Sequence, residues 1–158
     1  MTRCLLITLF LASNIAIAQE PSLFRAAIDN WGRHNYTVEL RDGKLIYTDG
    51  LGWSDSRPIT VTPSPERWRA FRRALDAIPV WSWHDEYFAL ITDGTSWSFS
   101  IRYPDHSLAT HGGNCYPDAR GGVGPAVRRT AAFQQFESAV EALLGGKTFR
   151  SEQDAAKQ

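Results

Sequence analysis

Eight consecutive residues, Ser96 to Tyr103, alternate strictly between polar and apolar side chains. Every even-numbered position is polar and every odd-numbered position is apolar, in the order Ser-Trp-Ser-Phe-Ser-Ile-Arg-Tyr. Because successive side chains of a strand point to opposite faces of a sheet, the pattern predicts a strand with one buried and one wet face. A slip of one residue would expose four large apolar groups, so the register of this strand is strongly specified.

Shorter strand patterns flank this segment on both sides. Residues 87–91 precede it and residues 108–111 follow it, each across a connection of turn length, which predicts a three-strand antiparallel meander. Nearer the N-terminus, residues 36–40 and 44–48 also alternate, and Asp42-Gly43 between them is a strong hairpin signal. Residues 58–62 read as a short edge strand because Pro58 cannot donate to a ladder.

Two segments have the apolar spacing of amphipathic helices. Residues 65–78 carry an apolar stripe behind Ser64 as N-cap, with Pro65 at the first helical position. Thr130 is the expected cap of a final helix that ends at Gly145-Gly146. A third, short helix is predicted within residues 19–33, from Leu23, Phe24, Ala27, Ile28 and Trp31.

These elements predict an α+β domain over residues 19–149. We expect an antiparallel sheet of about five or six strands with helices packed on one face, and a closed barrel with helices at its ends is the alternative. Parallel doubly wound folds are disfavoured, because short loops join most of the strands. Residues 150–158 are polar and are expected to form a disordered tail.

Residues 1–18 have the layout of a secretory signal peptide. Arg3 precedes a largely apolar stretch, and the segment ends in the small-residue triplet Ala16-Ile17-Ala18. The chain has 17 basic and 17 acidic residues, so removal of Arg3 with this segment leaves a formal net charge of −1. No basic excess remains for nucleic acid, and no later apolar run is long enough to span a membrane. We therefore expect a periplasmic or secreted protein.

Cys115 is the single cysteine that remains after residue 18, so an internal disulfide is excluded. It lies in the glycine-rich stretch from His111 to Asp118, where a Cys-His pair would allow a cysteine-dependent hydrolase to use Cys115 and His111. The alternative is that the glycines permit a backbone turn and that the thiol is buried. Four residues of loop do not fix the geometry of such a pair, so catalysis is the alternative hypothesis.

Metal binding and cofactor binding are not predicted. His84, Asp85 and Glu86 are consecutive, and His106 and His111 flank a strand, but consecutive residues diverge along an extended chain. The chain has six tryptophans, and they are not all expected in the same environment. Trp68, Trp83 and Trp97 are expected in the core, whereas Trp31 and Trp53 are better candidates for a surface role.

Four sequence features together resemble small uncharacterised exported bacterial α+β proteins over residues 64–146. They are Trp-x-Trp at 81–83, Asp-Gly-Thr-x-Trp at 93–97, Gly-x-Asn-x-Tyr-Pro at 112–117, and the closing Phe-x-x-Phe helix. The resemblance implies export and an α+β fold and carries no activity.

The sequence therefore favours a non-catalytic exported binding module. We expect a protein partner in the cell envelope and a role as an inhibitor or immunity protein that blocks an envelope enzyme. The predicted contact surface is the loop at 112–125 with neighbouring aromatic side chains, and its candidate residues are Gly113, Asn114, Tyr116 and Trp53.

Overall fold

The computed structural model describes residues 20–51, 56–90, 94–125 and 128–151. Within them lie seven strands and two α-helices: β1 Leu23–Asn30, β2 His34–Arg41, β3 Lys44–Leu51, β4 Ile59–Val61, α1 Pro65–Ala77, β5 Glu86–Phe88, β6 Thr95–Arg102, β7 Ser107–Gly113 and α2 Ala131–Leu143. A 3₁₀ turn, Val80–Ser82, follows α1. The predicted signal peptide at 1–18 lies outside the described residues.

All seven described strands belong to one sheet, in the order β4-β3-β2-β1-β6-β7-β5. Every neighbouring pair is antiparallel except β5 with β7. The predicted α+β class is confirmed, with more strands than expected. The sheet is open, with β4 and β5 at its two edges.

The alternating segment forms β6, as predicted, in the middle of the sheet. Trp97, Phe99, Ile101 and Tyr103 are all buried. Helix α2 covers Trp97 and Phe99, because Phe133 lies 4.8 Å from the Trp97 ring and Phe136 lies 4.6 Å from the Phe99 ring, measured between ring centroids. Burial of these aromatic faces supplies much of the hydrophobic stabilisation.

Both helices lie on the same face of the sheet. Helix α1 packs on β1, where Phe24 contacts Phe71 and Trp68 edge to face at 5.3 and 6.1 Å. Ala26 of β1 pairs directly with Phe99 of β6, and both are fully buried, so β1 and β6 present one continuous face to the helices. The opposite face, which includes the serines of β6, carries no described helix.

Local signals account for the helix ends and for the first hairpin. The Ser64 hydroxyl accepts the Arg67 N–H at 3.3 Å, and the Thr130 hydroxyl accepts the Phe133 N–H at 3.2 Å. Asp42 and Gly43 have φ values of 50° and 72°, the left-handed pair that a two-residue hairpin turn requires. The caps and the turn are as predicted.

The helix predicted within residues 19–33 is wrong, because the segment forms strand β1. Phe24, Ala26, Ile28 and Asn30 alternate with more exposed residues and are buried. The apolar residues of this segment fit both a helical and an extended period. Pairing with β2 on one side and β6 on the other decides in favour of the strand.

The predicted meander is right for its second pair and wrong for its first. β6 and β7 form an antiparallel pair, but β5 does not lie beside β6. It crosses to the far side of β7 and pairs with it in parallel, with Glu86 opposite His111 and Phe88 opposite Gly113. A three-residue strand has too little local pattern to reveal such a crossover.

Ordered contacts continue two residues beyond the predicted end of the domain. The Arg150 carbonyl accepts a hydrogen bond from Asn30, and Ser151 is buried. Residues 152–158 lie outside the described part of the chain. Neither described helix is long and apolar enough to cross a bilayer.

Candidate binding site at one end of the sheet

The strand directions bring four strand ends together at one end of the sheet. β1 ends at Asn30 beside Thr95, the first residue of β6. β7 ends at Gly113, and β5, which is parallel to β7, ends next to it at Phe88. Side chains from distant parts of the sequence therefore meet at this end.

Large apolar side chains are exposed at this end. Trp31 is 74% exposed, Phe88 is 63% exposed and Leu90, two residues beyond Phe88, is 96% exposed. Leu51, the last residue of β3, is also exposed. Of the other large apolar residues that the described chain exposes, Leu23 lies at the opposite end of β1, Ile59 lies in β4, and Val123 forms an isolated bridge with Pro117. We call Trp31, Phe88 and Leu90 the apolar cluster.

A groove of about 220 Å³ lies between Trp31 and Phe88. Its lining residues are Asp29, Trp31, Phe88, Gly94, Thr95, Ser96, Gly113 and Asn114. A Cβ atom on Gly113 would come within 3.0 Å of the Phe88 ring, so the ring lies directly on this glycine. The groove combines two aromatic walls with a floor of small residues.

A second depression, of about 270 Å³, adjoins the groove at Asp29, which lines both. It lies on the face of the sheet opposite the helices and is lined by Ala27, Ile28, Asp29, Asn35, Thr37, Thr48, Gly50 and Ser56. Its lining side chains are mostly small, and five of the eight lining residues are polar. The groove thus borders a second depression on the open face.

Buried hydrogen bonds hold the strand ends beneath the groove. The Thr95 hydroxyl donates to the Asn30 side-chain oxygen at 2.9 Å, and the Thr95 N–H donates to the Asn114 side-chain oxygen at 3.0 Å. The Asn30 amide in turn donates to the His34 carbonyl at 2.7 Å. Each of the three central residues is buried, so these bonds fix the floor of the groove.

A second set of polar groups lies deeper, between the sheet and α2. The Glu137 carboxylate accepts the Ser151 N–H at 2.6 Å and a hydrogen bond from Arg129 at 2.8 Å. The Ser151 and Tyr116 hydroxyls are 2.9 Å apart. Desolvation raises the pKa of Glu137 to about 7, although its hydrogen bonds to Ser151 and Arg129 act in the opposite direction. The hydrogen bonds of Ser151 to Glu137 and Tyr116 hold the C-terminal segment against the domain.

The predicted binding residues separate in the structure. Gly113 and Asn114 line the groove. Tyr116 is fully buried, and its ring packs in the core with its centroid 4.7 Å from that of Phe133, so it presents no surface for contact. Trp53 lies outside the described residues.

Cys115 and His111 lie on opposite sides of the sheet. Cys115 is 2% exposed, its Sγ atom lies 3.9 Å from the Gly124 carbonyl oxygen, and burial raises the pKa of its thiol. His111 pairs with Ser98 on the open face, where its Nε2 atom lies 3.8 Å from the Glu86 carboxylate. A reactive thiolate needs solvent access and surroundings that stabilise its negative charge. The Cys115 thiol has neither.

No group of three or more histidine, cysteine, aspartate or glutamate side chains in the described residues could hold a metal ion. Asp85 and Glu86 are both exposed. Of the candidate histidines His84, His106 and His111, it is His111 that lies near the Glu86 carboxylate in the described residues. His106 instead packs against Trp81, with ring centroids 4.8 Å apart. The candidate ligands are therefore distributed over separate places.

Sequence reasoning missed Phe88 as a surface residue. It occurs in an apolar run, Tyr87 to Ile91, that resembles a buried strand, and only the parallel pairing with β7 leaves its ring on the open face. A usable signal was the adjacent pair Glu86 and Asp85, because charged residues favour an edge position.

The sequence matches no protein-family model, and no curated protein is significantly similar to it.

Proposed function

We propose that this protein is a non-catalytic exported binding module that docks onto a protein of the cell envelope, where it acts as an inhibitor or immunity protein of an envelope enzyme. The observation that carries the proposal is the exposed apolar cluster of Trp31, Phe88 and Leu90, of which Trp31 and Phe88 line the groove. Export follows from the signal-peptide layout of residues 1–18.

The composition of this end of the sheet is typical of a protein-contact surface. Large apolar groups gathered at one place are unusual on a monomer, and tryptophan is enriched at the energetic centres of interfaces. Polar residues surround the cluster, as the rim of an interface requires, with Asp29 and Ser96 on the groove itself.

The rigidity of the base also supports docking. Thr95 and Asn114 belong both to the groove lining and to the buried hydrogen-bond network. A surface that is ordered before binding loses little conformational entropy when a partner arrives.

The groove lining favours recognition over chemistry. Its titratable member is Asp29, and neither a histidine nor a cysteine is part of it. Acyl-transfer chemistry would need a nucleophile and a base within hydrogen-bond reach of each other.

A capture experiment with matched variants tests the proposal. Protein lacking residues 1–18 is immobilised and exposed to an envelope extract, and retained partners are quantified by mass spectrometry. We expect the native protein and Leu23→Ala, whose side chain is exposed at the opposite end of β1, to retain one stoichiometric partner. Trp31→Ala should release it without a change in melting temperature. Equal retention by Trp31→Ala and Leu23→Ala, or no stoichiometric partner at all, would contradict the proposal.

A further inference from the structure

We infer that the free edge of β5 is where the envelope partner pairs with this protein, by adding an extended segment of its own chain as an eighth strand of the sheet. The inference rests on the proposed function and names the chemistry of the partner: an extended segment that places a basic and an apolar side chain, two residues apart, on the open face. Strand addition is an established mode of peptide recognition.

The hydrogen bonds of β5 show which way its backbone points. The His111 N–H donates to the Asp85 carbonyl, and the Ala89 N–H donates to the Gly113 carbonyl, both at 3.0 Å. Odd-numbered residues of this strand therefore bond to β7. Since successive residues of a strand direct their N–H and C=O groups to opposite sides, Glu86 and Phe88 direct theirs away from the sheet.

This outer edge is uncovered in the described part of the chain. There, β5 pairs with β7 alone, and no described group makes a hydrogen bond to the backbone of Glu86 or Phe88. Both residues are exposed. Two N–H and two C=O groups are thus available, enough for one short antiparallel ladder.

The side chains beside this edge define the occupant. Glu86 and Phe88 both point to the open face, because their register partners are His111 and Gly113 of β7. Directly opposite residues on neighbouring strands interact, so an incoming strand gains by placing a basic residue beside Glu86 and an apolar residue beside Phe88. Asp85 adds negative charge, and residues 80–90 contain no lysine or arginine.

The edge is continuous with the apolar cluster. Phe88 is both the last residue of β5 and one wall of the groove, and Leu90 continues the chain past it. An added strand would lie on the outer side of β5, away from Trp31. Phe88 is the residue that the edge and the groove share, because its ring faces both the added strand and the groove.

The test uses a fluorescein-labelled eight-residue peptide in which threonine occupies every other position and lysine and valine alternate between them. Fluorescence anisotropy measures its binding to native protein and to two variants at one position. Glu86→Pro removes an outward N–H while leaving the bonds to β7, and Glu86→Gln keeps that N–H and removes only the charge. We expect saturable binding by the native protein, a modest loss for Glu86→Gln, and a further weakening of about tenfold for Glu86→Pro.

Equal binding by the two variants, or no saturable binding by the native protein, would overturn the inference. If Glu86→Pro does not fold, amide hydrogen exchange in the native protein decides. Added peptide should slow exchange at Glu86 and Phe88 about tenfold, and unchanged exchange there would also overturn it.

The same variants separate this inference from the proposed function. In the envelope capture experiment, loss of the partner with Trp31→Ala but full retention with Glu86→Pro would leave the proposed function standing and reject strand addition. Absence of any envelope partner, together with peptide binding that depends on the Glu86 N–H, would reject the proposed function and keep the β5 edge as a peptide site.

Discussion

Asn114 and Thr95 hold each other through two hydrogen bonds at the end of the sheet. The Thr95 N–H donates to the Asn114 side-chain oxygen at 3.0 Å, and the Asn114 N–H donates to the Thr95 carbonyl at 2.9 Å. Asn114 adopts φ of 55°, a left-handed conformation that asparagine tolerates better than most residues. The pair closes the turn out of β7 beneath the Trp31 and Phe88 side chains.

We expect Asn114→Ala to lower the free energy of unfolding by about 2–3 kcal/mol. It leaves the buried Thr95 N–H without its acceptor and places alanine at a strained φ. Asn114→Gly should lose less, because glycine accepts this φ and only the acceptor is missing. Urea unfolding of both variants measures the difference. Native-like stability of Asn114→Ala would show that the pair does not support the groove.

Glu137 should make the domain less stable as pH rises through the neutral range. Its pKa is about 7 in the folded protein and 4.5 in the unfolded chain. Between these two pH values the folded state therefore binds a proton that the unfolded state has released. The stabilisation that Glu137 contributes is fully present at pH values below its pKa in the unfolded chain. It decreases as pH rises from about 5 to 7 and stays constant above that. The total is on the order of 3 kcal/mol.

Urea unfolding at pH 5 and at pH 7.5 measures this dependence, and Glu137→Gln is the matched control. The amide cannot titrate but keeps an oxygen that accepts the Ser151 N–H. We expect the variant to lose the downward slope that the native protein shows. Identical slopes in the two proteins would mean that Glu137 titrates normally in the folded state.

Arg72 should resist replacement by lysine. Its guanidinium lies 4.7 Å from the centroid of the Tyr103 ring and 5.2 Å from that of Trp81, and it donates two hydrogen bonds to Asp105 at 2.8 and 2.9 Å. Lysine has neither the plane for stacking nor the paired donors. We expect Arg72→Lys to cost about 1–2 kcal/mol of unfolding free energy.

Arg69→Lys on the same helix is the control for Arg72→Lys. Among the described residues, the ion-pair partner of Arg69 is the exposed Glu66, and a pair of this kind adds little to stability. Thermal unfolding of the two variants should show a lower melting temperature for the Arg72 variant only. A similar effect at both positions would point to helix propensity instead of the stacked arrangement.

The Cys115 thiol should be unreactive in the folded protein. It is buried and its pKa is raised by desolvation, so both access and thiolate formation are opposed. Labelling with iodoacetamide, followed by mass spectrometry, should modify Cys115 only after denaturation in guanidinium chloride. Rapid labelling of the native protein below pH 7 would instead favour the hydrolase alternative with Cys115 as nucleophile.

Sequence reasoning succeeded where neighbouring residues decide the structure. The alternation of Ser96 to Tyr103, the Asp42-Gly43 turn and the two helix caps are short-range patterns, and each forms as predicted. It failed for β1 and for the pairing of β5, because both depend on distant partners. The N-terminal apolar residues fit two periods, and only β2 and β6 distinguish them.

The candidate site was predictable in part for the same reason. Gly113 and Asn114 were identified from a glycine-rich segment after a strand, and both line the groove. Tyr116 lies only two residues further on, yet its ring enters the core beside Phe133. Trp31 was a candidate for a surface role and is exposed. The exposure of Phe88 depends on which strands meet, and composition and spacing do not encode that pairing.

The most direct test of the central claim is site-specific photo-crosslinking in intact cells. A benzophenone-bearing phenylalanine replaces Trp31, Phe88 or, as a control outside the apolar cluster, the exposed Val123. If the sheet end with Trp31 and Phe88 is the contact surface, positions 31 and 88 should crosslink to one and the same envelope protein, and position 123 should not. Crosslinks at position 123 alone, or none at positions 31 and 88, would contradict the claim.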